Sequence, residues 1–361
     1  MGRFRLLYDN KITAESMIAV SSLRYGLVSS PLKEGTGSAT LNPAGNYTAQ
    51  TDKEYIIEID SVAAGYEIGQ ATFKWSDGAG GWNATGVATS ALATALNNGV
   101  TVSFTAGSGN DFELGDTWYF KAINMFKPGN LIDRARDSRY RSKELEAPNT
   151  ITINLGAATE IKALILYDHN LTSAAAITLE ADAAATFDSG AGGAPELSEA
   201  VTWAADKILH YLAASTTKRY WRIKITDAAN PDTYIEIGEL FLGPYLELTK
   251  NMELGASTPF TLIADKNTTP YGVRRRRFFN LARSWSISVP LLSSSDVALL
   301  TDMLEAANSR ATGIANPFFY NDDSAVPGNT WLVEIDGMPM SRPLNNYQSV
   351  KLDMDEVLKT V

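Results

Sequence analysis

Hydrophobic and polar positions alternate with a period of two over most of this chain. The clearest examples are the segments 55–60, 70–75, 100–104 and 117–122, which are rich in β-branched and aromatic residues. Glycine, asparagine and aspartate separate these segments, as in Asn97-Asn-Gly99, and such residues favour tight turns. The pattern predicts an all-β fold of several β-sandwiches, because short, regularly spaced strands are typical of sandwiches and barrels.

One helix is predicted near the C-terminus. Ser293 and Asp296 stand three residues apart, the spacing at which a hydroxyl and a carboxylate cap a helix start. Apolar residues follow at helical spacing: Leu300, Met303, Leu304 and Ala307. We therefore expect an amphipathic helix that begins near Ser293 and covers one face of a sheet.

Composition and charge restrict the class of protein. The chain has 361 residues and a net charge of -10, and its length suits two or three domains of ~100–200 residues each. The negative charge argues against a nucleic-acid partner, since phosphate binding needs basic surfaces. The absence of cysteine excludes disulfides, thiolate nucleophiles and cysteine metal sites.

Targeting and membrane signals are not evident. The sequence contains no apolar run of ~18 residues, so membrane insertion is not expected. Residues 1–10 contain two arginines but no apolar stretch of ~7–15 residues like that of a signal peptide. We expect synthesis in the cytoplasm.

Residues 130–242 contain an ordered series of short motifs. They begin with the turn Asn130-Leu-Ile-Asp133, continue through strand patterns, and end with Tyr220-Trp-Arg-Ile223 and Ile235-Glu-Ile-Gly-Glu-Leu240. This order resembles discoidin-type, galactose-binding-like jelly rolls. The resemblance implies a β-sandwich that binds a ligand or has a structural role, rather than an enzyme.

A second module interrupts the predicted jelly roll. Residues 12–22 resemble the first discoidin strand, yet the Asn130 turn follows only after residues 33–123. That intervening segment is similar to a small β-module of phage tail and fibre proteins, with Phe73, Trp75, Trp118 and Phe120 facing inward. We predict a jelly roll of residues 1–32 and 124–243 with residues 33–123 inserted at a loop, where insertions are tolerated.

Residues 244–361 form the third predicted domain. Their order is a strand, the helix, a strand at Pro317-Phe-Phe-Tyr320 and two further strands. This order resembles the C-terminal β-sandwich-plus-helix of phage tail and baseplate proteins. The resemblance implies a domain that docks the chain on a larger assembly.

Five residues after the Asn130 turn are candidates for a ligand site or an interface: Arg134, Arg136, Arg139, Tyr140 and Arg141. In one interpretation the arginines face an anionic or saccharide ligand and the tyrosine offers a stacking face. In the other they pair with acidic residues of a neighbouring subunit. The second is favoured, because exposed aromatic residues typical of discoidin ligand loops are not evident.

Four consecutive arginines are the sharpest charge feature: Arg274, Arg275, Arg276 and Arg277. They fit an extended assembly arm that crosses an acidic partner surface, since arginine forms planar, two-point contacts with carboxylates. The alternative is a solvated strand end.

Catalytic signatures are absent from the sequence. It contains two histidines and none of the nucleophile-elbow, P-loop, dinucleotide or zinc-protease motifs. No two acids are singled out for the ~5–9.5 Å pairing that glycoside hydrolysis needs. We expect no enzyme activity, catalytic residue, cofactor or metal, and we expect His169 to hold a turn.

The acidic turn at residues 110–116 has two interpretations. Its oxygens could ligate calcium, which accepts carboxylates in loose geometry. Asparagine, aspartate and glycine are also the residues that a hairpin needs without any metal.

These features predict a structural protein of a tailed-phage virion, at the tail tip or baseplate. Its expected partners are other tail proteins in a symmetric homo-oligomer, and weak binding of host-cell glycan would gain avidity from repetition. One alternative is a carbohydrate-binding adhesin or lectin without a virion role. A less favoured alternative is a glycan-cleaving enzyme of the tail.

Overall fold

The computed structural model describes residues 2–49, 51–78, 80–253, 260–268, 274–309, 314–344 and 347–358. In this part of the chain antiparallel strands predominate and one α-helix, α1 (Ser294–Ala307), occurs. The prediction of an all-β fold built from several sheets is confirmed. Within the described residues, no helix has the length and apolar character needed to span a bilayer.

The strands are, in chain order, β1 (Arg5–Leu7), β2 (Ile18–Val20), β3 (Leu27–Val28), β4 (Leu32–Glu34), β5 (Thr40–Gly45), β6 (Lys53–Ser61), β7 (Thr72–Ser76), β8 (Ala84–Ala88) and β9 (Thr94–Ala95). There follow β10 (Val100–Thr105), β11 (Thr117–Ile123), β12 (Tyr140–Arg141), β13 (Asn149–Tyr167), β14 (Ala176–Asp182), β15 (Leu197–Val201), β16 (Lys207–Thr226), β17 (Glu236–Ile237) and β18 (Glu239–Gly243). The last are β19 (Phe260–Thr268), β20 (Arg274–Leu292), β21 (Asn308–Ser309), β22 (Ile314–Ala315), β23 (Phe318–Asn321), β24 (Thr330–Gly337), β25 (Met340–Leu344) and β26 (Tyr347–Glu356).

The chain divides into two compact units. The larger unit comprises Met1–Ser21, Pro128–Arg139 and Leu145–Val361, and the smaller comprises Ser22–Lys127 and Tyr140–Glu144. The predicted inserted module, residues 33–123, lies within the smaller unit. The further division into a jelly roll of residues 1–32 and 124–243 and a domain of residues 244–361 stays a prediction.

One sheet of the larger unit has the strand order β15-β14-β16-β13-β18, and β2 also pairs with β13. The alternating pattern of the sequence explains its core. Ile151 and Ile153 of β13 and Trp221 and Ile223 of β16 are buried, whereas polar residues occupy the positions between them. Because side chains alternate between the faces of a strand, this spacing buries one face of the sheet.

The other main sheet of the larger unit has the order β1-β23-β24-β26-β20-β19. Helix α1 buries Leu300, Met303 and Ala307 in the same core cluster as Trp285. The predicted helix start is confirmed, since the Asp296 amide donates to the Ser293 hydroxyl, 3.2 Å away, and that hydroxyl donates to the Asp296 carboxylate at 2.8 Å.

The smaller unit has two sheets, of order β3-β11-β6-β7-β8 and β5-β10-β9, and β4 pairs with β11. Its core is aromatic: Phe104 lies 5.6 Å from Trp118 between ring centroids, in an edge-to-face arrangement that aromatic pairs prefer. The four side chains predicted to face inward are buried, namely Phe73, Trp75, Trp118 and Phe120.

Candidate functional site

Arg136 is held inside the larger unit by an ion pair with Asp168. Its Nε and Nη2 donate to the two carboxylate oxygens of Asp168 at 2.9 and 3.0 Å. Nη1 donates to the main-chain oxygen of Val357 at 2.9 Å. The Arg136 and Asp168 side chains are 14% and 13% exposed. Two-point pairing of this kind is the strongest geometry for an arginine and a carboxylate, so these donors are used within the chain.

Arg139 and Arg134 also have partners in the larger unit. Arg139 Nη1 lies 3.1 Å from Glu236 Oε1 and donates to the Asp168 main-chain oxygen at 2.7 Å. The Arg134 amide donates to Glu239 Oε2 at 3.0 Å. Burial lowers the pKa of the Arg134 guanidinium, while the nearby Glu239 opposes that shift. Arg134, Arg136 and Arg139 therefore contact acidic side chains of their own chain.

Glu239 is a buried carboxyl, 4% exposed. Burial raises its pKa well above the usual value, the nearby Asp133 raises it further, and the Arg134 amide lowers it in part. Above pH ~4.5 the unfolded chain loses this proton, whereas the folded chain keeps it until its own higher pKa is reached. The contribution of Glu239 to stability therefore falls as the pH rises through that interval.

Glu239→Gln is expected to remove this pH dependence, because glutamine is neutral at every pH and still accepts the Arg134 hydrogen bond. The free energy of unfolding of the variant, relative to that of the parent, should therefore increase as the pH rises from about 4.5 towards neutrality. Urea unfolding of both proteins at several pH values measures the difference. A difference that stays constant, or shrinks with rising pH, contradicts the assignment; Glu160→Gln on a more exposed side chain is the control.

Tyr140 and Arg141 lie in the smaller unit. Tyr140 is 2% exposed, and its hydroxyl donates to the Ser22 main-chain oxygen at 2.5 Å, so its ring presents no face to a ligand. The Arg141 guanidinium lies over the Phe126 ring, 4.3 Å from the centroid. A ligand or interface role for the five candidates stays a prediction, and the contacts found for them are within the chain.

The four arginines Arg274, Arg275, Arg276 and Arg277 lie in β20. For these residues the structure describes the backbone and its strand pairing. β19 pairs with residues 274–283 of β20, whereas β26 pairs with residues 284–292. The β19–β20 pair, here called the ribbon, thus continues beyond the end of the sheet. Within the described residues no third strand pairs with it. At ~3.3 Å per residue the nine residues of β19 span about 30 Å.

The acidic turn at residues 110–116 binds main-chain amides. Asp116 is 2% exposed and its two oxygens accept from the amides of Thr36, Gly37 and Glu113 at 2.9, 3.3 and 2.8 Å. Asp111 accepts in the same way from the amides of residues 68 and 107. Both carboxylates therefore hold loops together through main-chain hydrogen bonds.

His169 has the structural role expected from the sequence. Its Nδ1 accepts a hydrogen bond from the Leu171 amide at 3.1 Å, which holds the turn after β13. The side chain is 8% exposed, and burial lowers its pKa. Among the described residues, no three histidine or carboxylate side chains gather as a metal site.

The smaller unit contains an open groove of about 550 Å³, a feature that sequence reasoning missed. It is lined by residues 24–28, 43–46 and 143. Tyr25 is 37% exposed, Arg24 and Asn46 are also exposed, and the Lys143 ammonium lies 5.0 Å from the Tyr25 ring centroid. A concave surface that combines an aromatic ring with a few polar groups is the usual form of a ligand site.

Two of the residues that line this groove are glycines that lie close to neighbouring backbone. A Cβ on Gly26 would lie 2.5 Å from the Ile123 main-chain oxygen, and one on Gly45 would lie 2.1 Å from that of Gly99. Gly45 also has a φ of +108°, which L side chains rarely adopt. The backbone can approach its neighbours this closely only because these residues have no side chain. In the sequence, these glycines are the one local feature that indicates the groove.

The described residues thus define a multi-domain β-sandwich protein with an open groove in its smaller unit. No protein-family model matches the chain, and no curated protein matches it. Solved structures similar to part of it include carbohydrate-binding modules, at low identity.

Three of these structures illustrate the similarity. A GH29 fucosidase of Ruminococcus gnavus is 18% identical, with a TM-score of 0.27, over 35% of this chain and 23% of the fucosidase. Chitosan-binding module 1 of a Paenibacillus chitosanase/glucanase is 20% identical, with a TM-score of 0.26, over 34% of this chain and 88% of the module. A fucose binding module of Streptococcus pneumoniae is 12% identical, with a TM-score of 0.25, over 33% of this chain and 82% of the module. Fucose and chitosan are the sugars named for those similar proteins.

Proposed function

We propose that this chain is a non-enzymatic structural protein that assembles into a symmetric homo-oligomer through its ribbon and binds glycan in the assembled form. The observation that carries the proposal is the ribbon itself, whose described strands extend beyond the sheet without a third strand. An isolated two-stranded hairpin is marginally stable in water. Exposed strand edges are also templates for pairing with another chain. A ribbon of this length is therefore suited to packing against a partner.

The positive charge of the ribbon favours an acidic partner surface. Residues 260–283 include six basic residues and one acidic residue, whereas the whole chain has a net charge of -10. The rest of a second copy is therefore strongly acidic, and complementary charge favours and orients such an association. A second copy of the chain meets this requirement without any further component.

The setting that we propose is the tail tip or baseplate of a tailed-phage virion, where the chain would pack with other tail proteins. The sequence resemblance of residues 33–123 and 244–361 to phage tail modules supports this setting. Weak binding of a host glycan at each subunit would gain strength from repetition around a ring.

The test replaces the four arginines of residues 274–277 with serine and measures assembly by sedimentation velocity. The parent is expected to form oligomers that dissociate at raised ionic strength, because salt screens charges beyond ~10 Å at 0.1 M. The variant should be monomeric, since removing one partner of an interfacial charge pair costs about 2–5 kcal/mol. Its melting temperature should stay close to that of the parent.

Two control variants test whether the effect depends on the position of the charges and on the length of the ribbon. A charge-matched variant changes four lysines outside the ribbon to serine, namely Lys121, Lys162, Lys250 and Lys351, and should assemble as the parent does. A second variant replaces residues 265–277 with Asn-Gly, a two-residue hairpin turn, which keeps Ala264 opposite Phe278 but shortens the ribbon. A parent that stays monomeric at high concentration, or a shortened ribbon that assembles normally, overturns the proposal.

A second candidate function is carbohydrate binding by an adhesin or lectin that has no virion role. The groove of the smaller unit favours it, because an exposed tyrosine lies there beside cationic side chains. Glycan binding by a parent that remains monomeric would support this alternative.

A further inference from the structure

We infer that the groove of the smaller unit binds an acidic saccharide, with Arg24 and Lys143 placed to contact its carboxylate and Tyr25 placed to stack on a sugar ring. This inference rests on the glycan-binding part of the proposed function and adds a site and a ligand class to it. All groove residues belong to the smaller compact unit: residues 43–46 lie in the predicted inserted module, whereas Arg24, Tyr25 and Lys143 come from the ends of the segments that flank it in the sequence.

The cationic side chains of the groove define its charge preference. Arg24 is exposed, and within the described residues no acidic side chain forms an ion pair with its guanidinium. The Lys143 side chain is 44% exposed, and its ammonium lies 3.4 Å from Glu144 Oε1. Hydrogen bonding with Tyr25 and the neighbouring Glu144 raise the pKa of Lys143, so it is charged at neutral pH. Arg24 is thus the group best placed for a two-point contact with a carboxylate.

The aromatic part of the groove is held in place by its own backbone. The Arg24 amide donates to the Arg141 main-chain oxygen at 2.9 Å, and the Gly26 amide donates to that of Tyr47 at 2.8 Å. These bonds fix the chain on both sides of Tyr25. A backbone held in this way loses little freedom when a ligand binds beside Tyr25, so this part of the surface is preorganised.

Polar groups for sugar hydroxyls also line the groove. β5 is an edge strand in the order β5-β10-β9, and its residues Pro43, Ala44 and Gly45 line the groove together with Asn46. The Asn46 side chain is exposed and provides both a donor and an acceptor. An amide, a tyrosine ring and cations together match a carboxylated sugar better than an apolar ligand.

The net charge of the chain favours a saccharide with one carboxylate over a polyanion. A nucleic acid presents a phosphate at every step and is repelled by a protein of charge -10. A saccharide with one carboxylate brings a single charge to the guanidinium and leaves neutral hydroxyls for the other groups.

The experiment titrates the full chain with sialyllactose and with trigalacturonic acid by calorimetry and ligand-observed NMR, and uses lactose as the neutral probe. At least one acidic saccharide is expected to bind at millimolar concentration, more tightly than lactose. Arg24→Gln should weaken that binding about tenfold to hundredfold, because a hydrogen bond to a charged group is worth about 1.5–3 kcal/mol. Tyr25→Ala should weaken it as well.

Matched controls lie in the same unit. Lys121→Gln removes another exposed cation, and Tyr66→Ala removes another exposed ring, 43% exposed against 37% for Tyr25. Both should bind as the parent does, and thermal unfolding checks the fold of every variant. Absence of binding by both acidic saccharides overturns the inference. Binding that Arg24→Gln and Tyr25→Ala leave unchanged also overturns it, yet leaves the glycan-binding part of the proposed function standing.

Discussion

Replacing Arg136 by alanine is expected to lower the free energy of unfolding by about 3 kcal/mol, because removing one partner of a buried ion pair strands the other charge. Arg136 donates twice to Asp168 and once to the Val357 main-chain oxygen, and both side chains of the pair are mostly shielded from solvent. Urea unfolding at neutral pH measures the loss. Arg136→Lys should recover part of it, since lysine keeps the charge but lacks the planar two-point geometry.

Arg3→Ala is the matched control for this prediction. The Arg3 side chain is 50% exposed and its Nη1 lies 3.6 Å from Glu247 Oε1, and exposed ion pairs contribute about 0–1 kcal/mol, so the variant should lose much less stability. If Arg136→Ala unfolds like the parent but fails to assemble, the internal ion pair is not its main role. Arg136 would then belong to the subunit interface that the sequence pattern favours.

Strand positions could be predicted from the sequence because they follow from local alternation. Residues 55–60 lie within β6, residues 70–75 overlap β7, and residues 117–122 lie within β11. The start of α1 was predictable for the same reason, since Ser293 and Asp296 are three residues apart. In each case, the physical cause of the structure lies within a few residues.

Side-chain partners were not predictable, because they depend on contacts between segments that are distant in the sequence. Asp168 is 32 residues from Arg136, and nothing in the local pattern around Arg136 indicates that carboxylate. The groove has the same origin, since Arg24, Asn46 and Lys143 come from three separate segments. The sequence pattern favours an interface for these arginines, and it does not indicate that Arg136 and Arg139 pair with carboxylates of the same chain or that the Arg134 amide donates to Glu239.

Replacing Asp116 by alanine is expected to destabilise the smaller unit by about 3 kcal/mol or more, since each buried donor left without a partner costs about 1–3 kcal/mol. The carboxylate accepts from three main-chain amides, and loop residue Gly35, with φ +119°, packs so closely that a Cβ would lie 2.0 Å from Asp116 Oδ1. Calorimetric unfolding of parent and variant measures the effect on this unit.

Adding calcium distinguishes this structural role of Asp116 from metal binding at residues 110–116. Because both Asp116 oxygens already accept main-chain amides, millimolar calcium, or a chelator, should leave the melting temperature of the parent unchanged. Glu113→Ala is the control, since its carboxylate accepts from the exposed Asn110 amide and should cost less than 1 kcal/mol. Calcium that raises the melting temperature of the parent but not of Asp116→Ala would assign the turn to a metal after all, with the amide bonds as its apo arrangement.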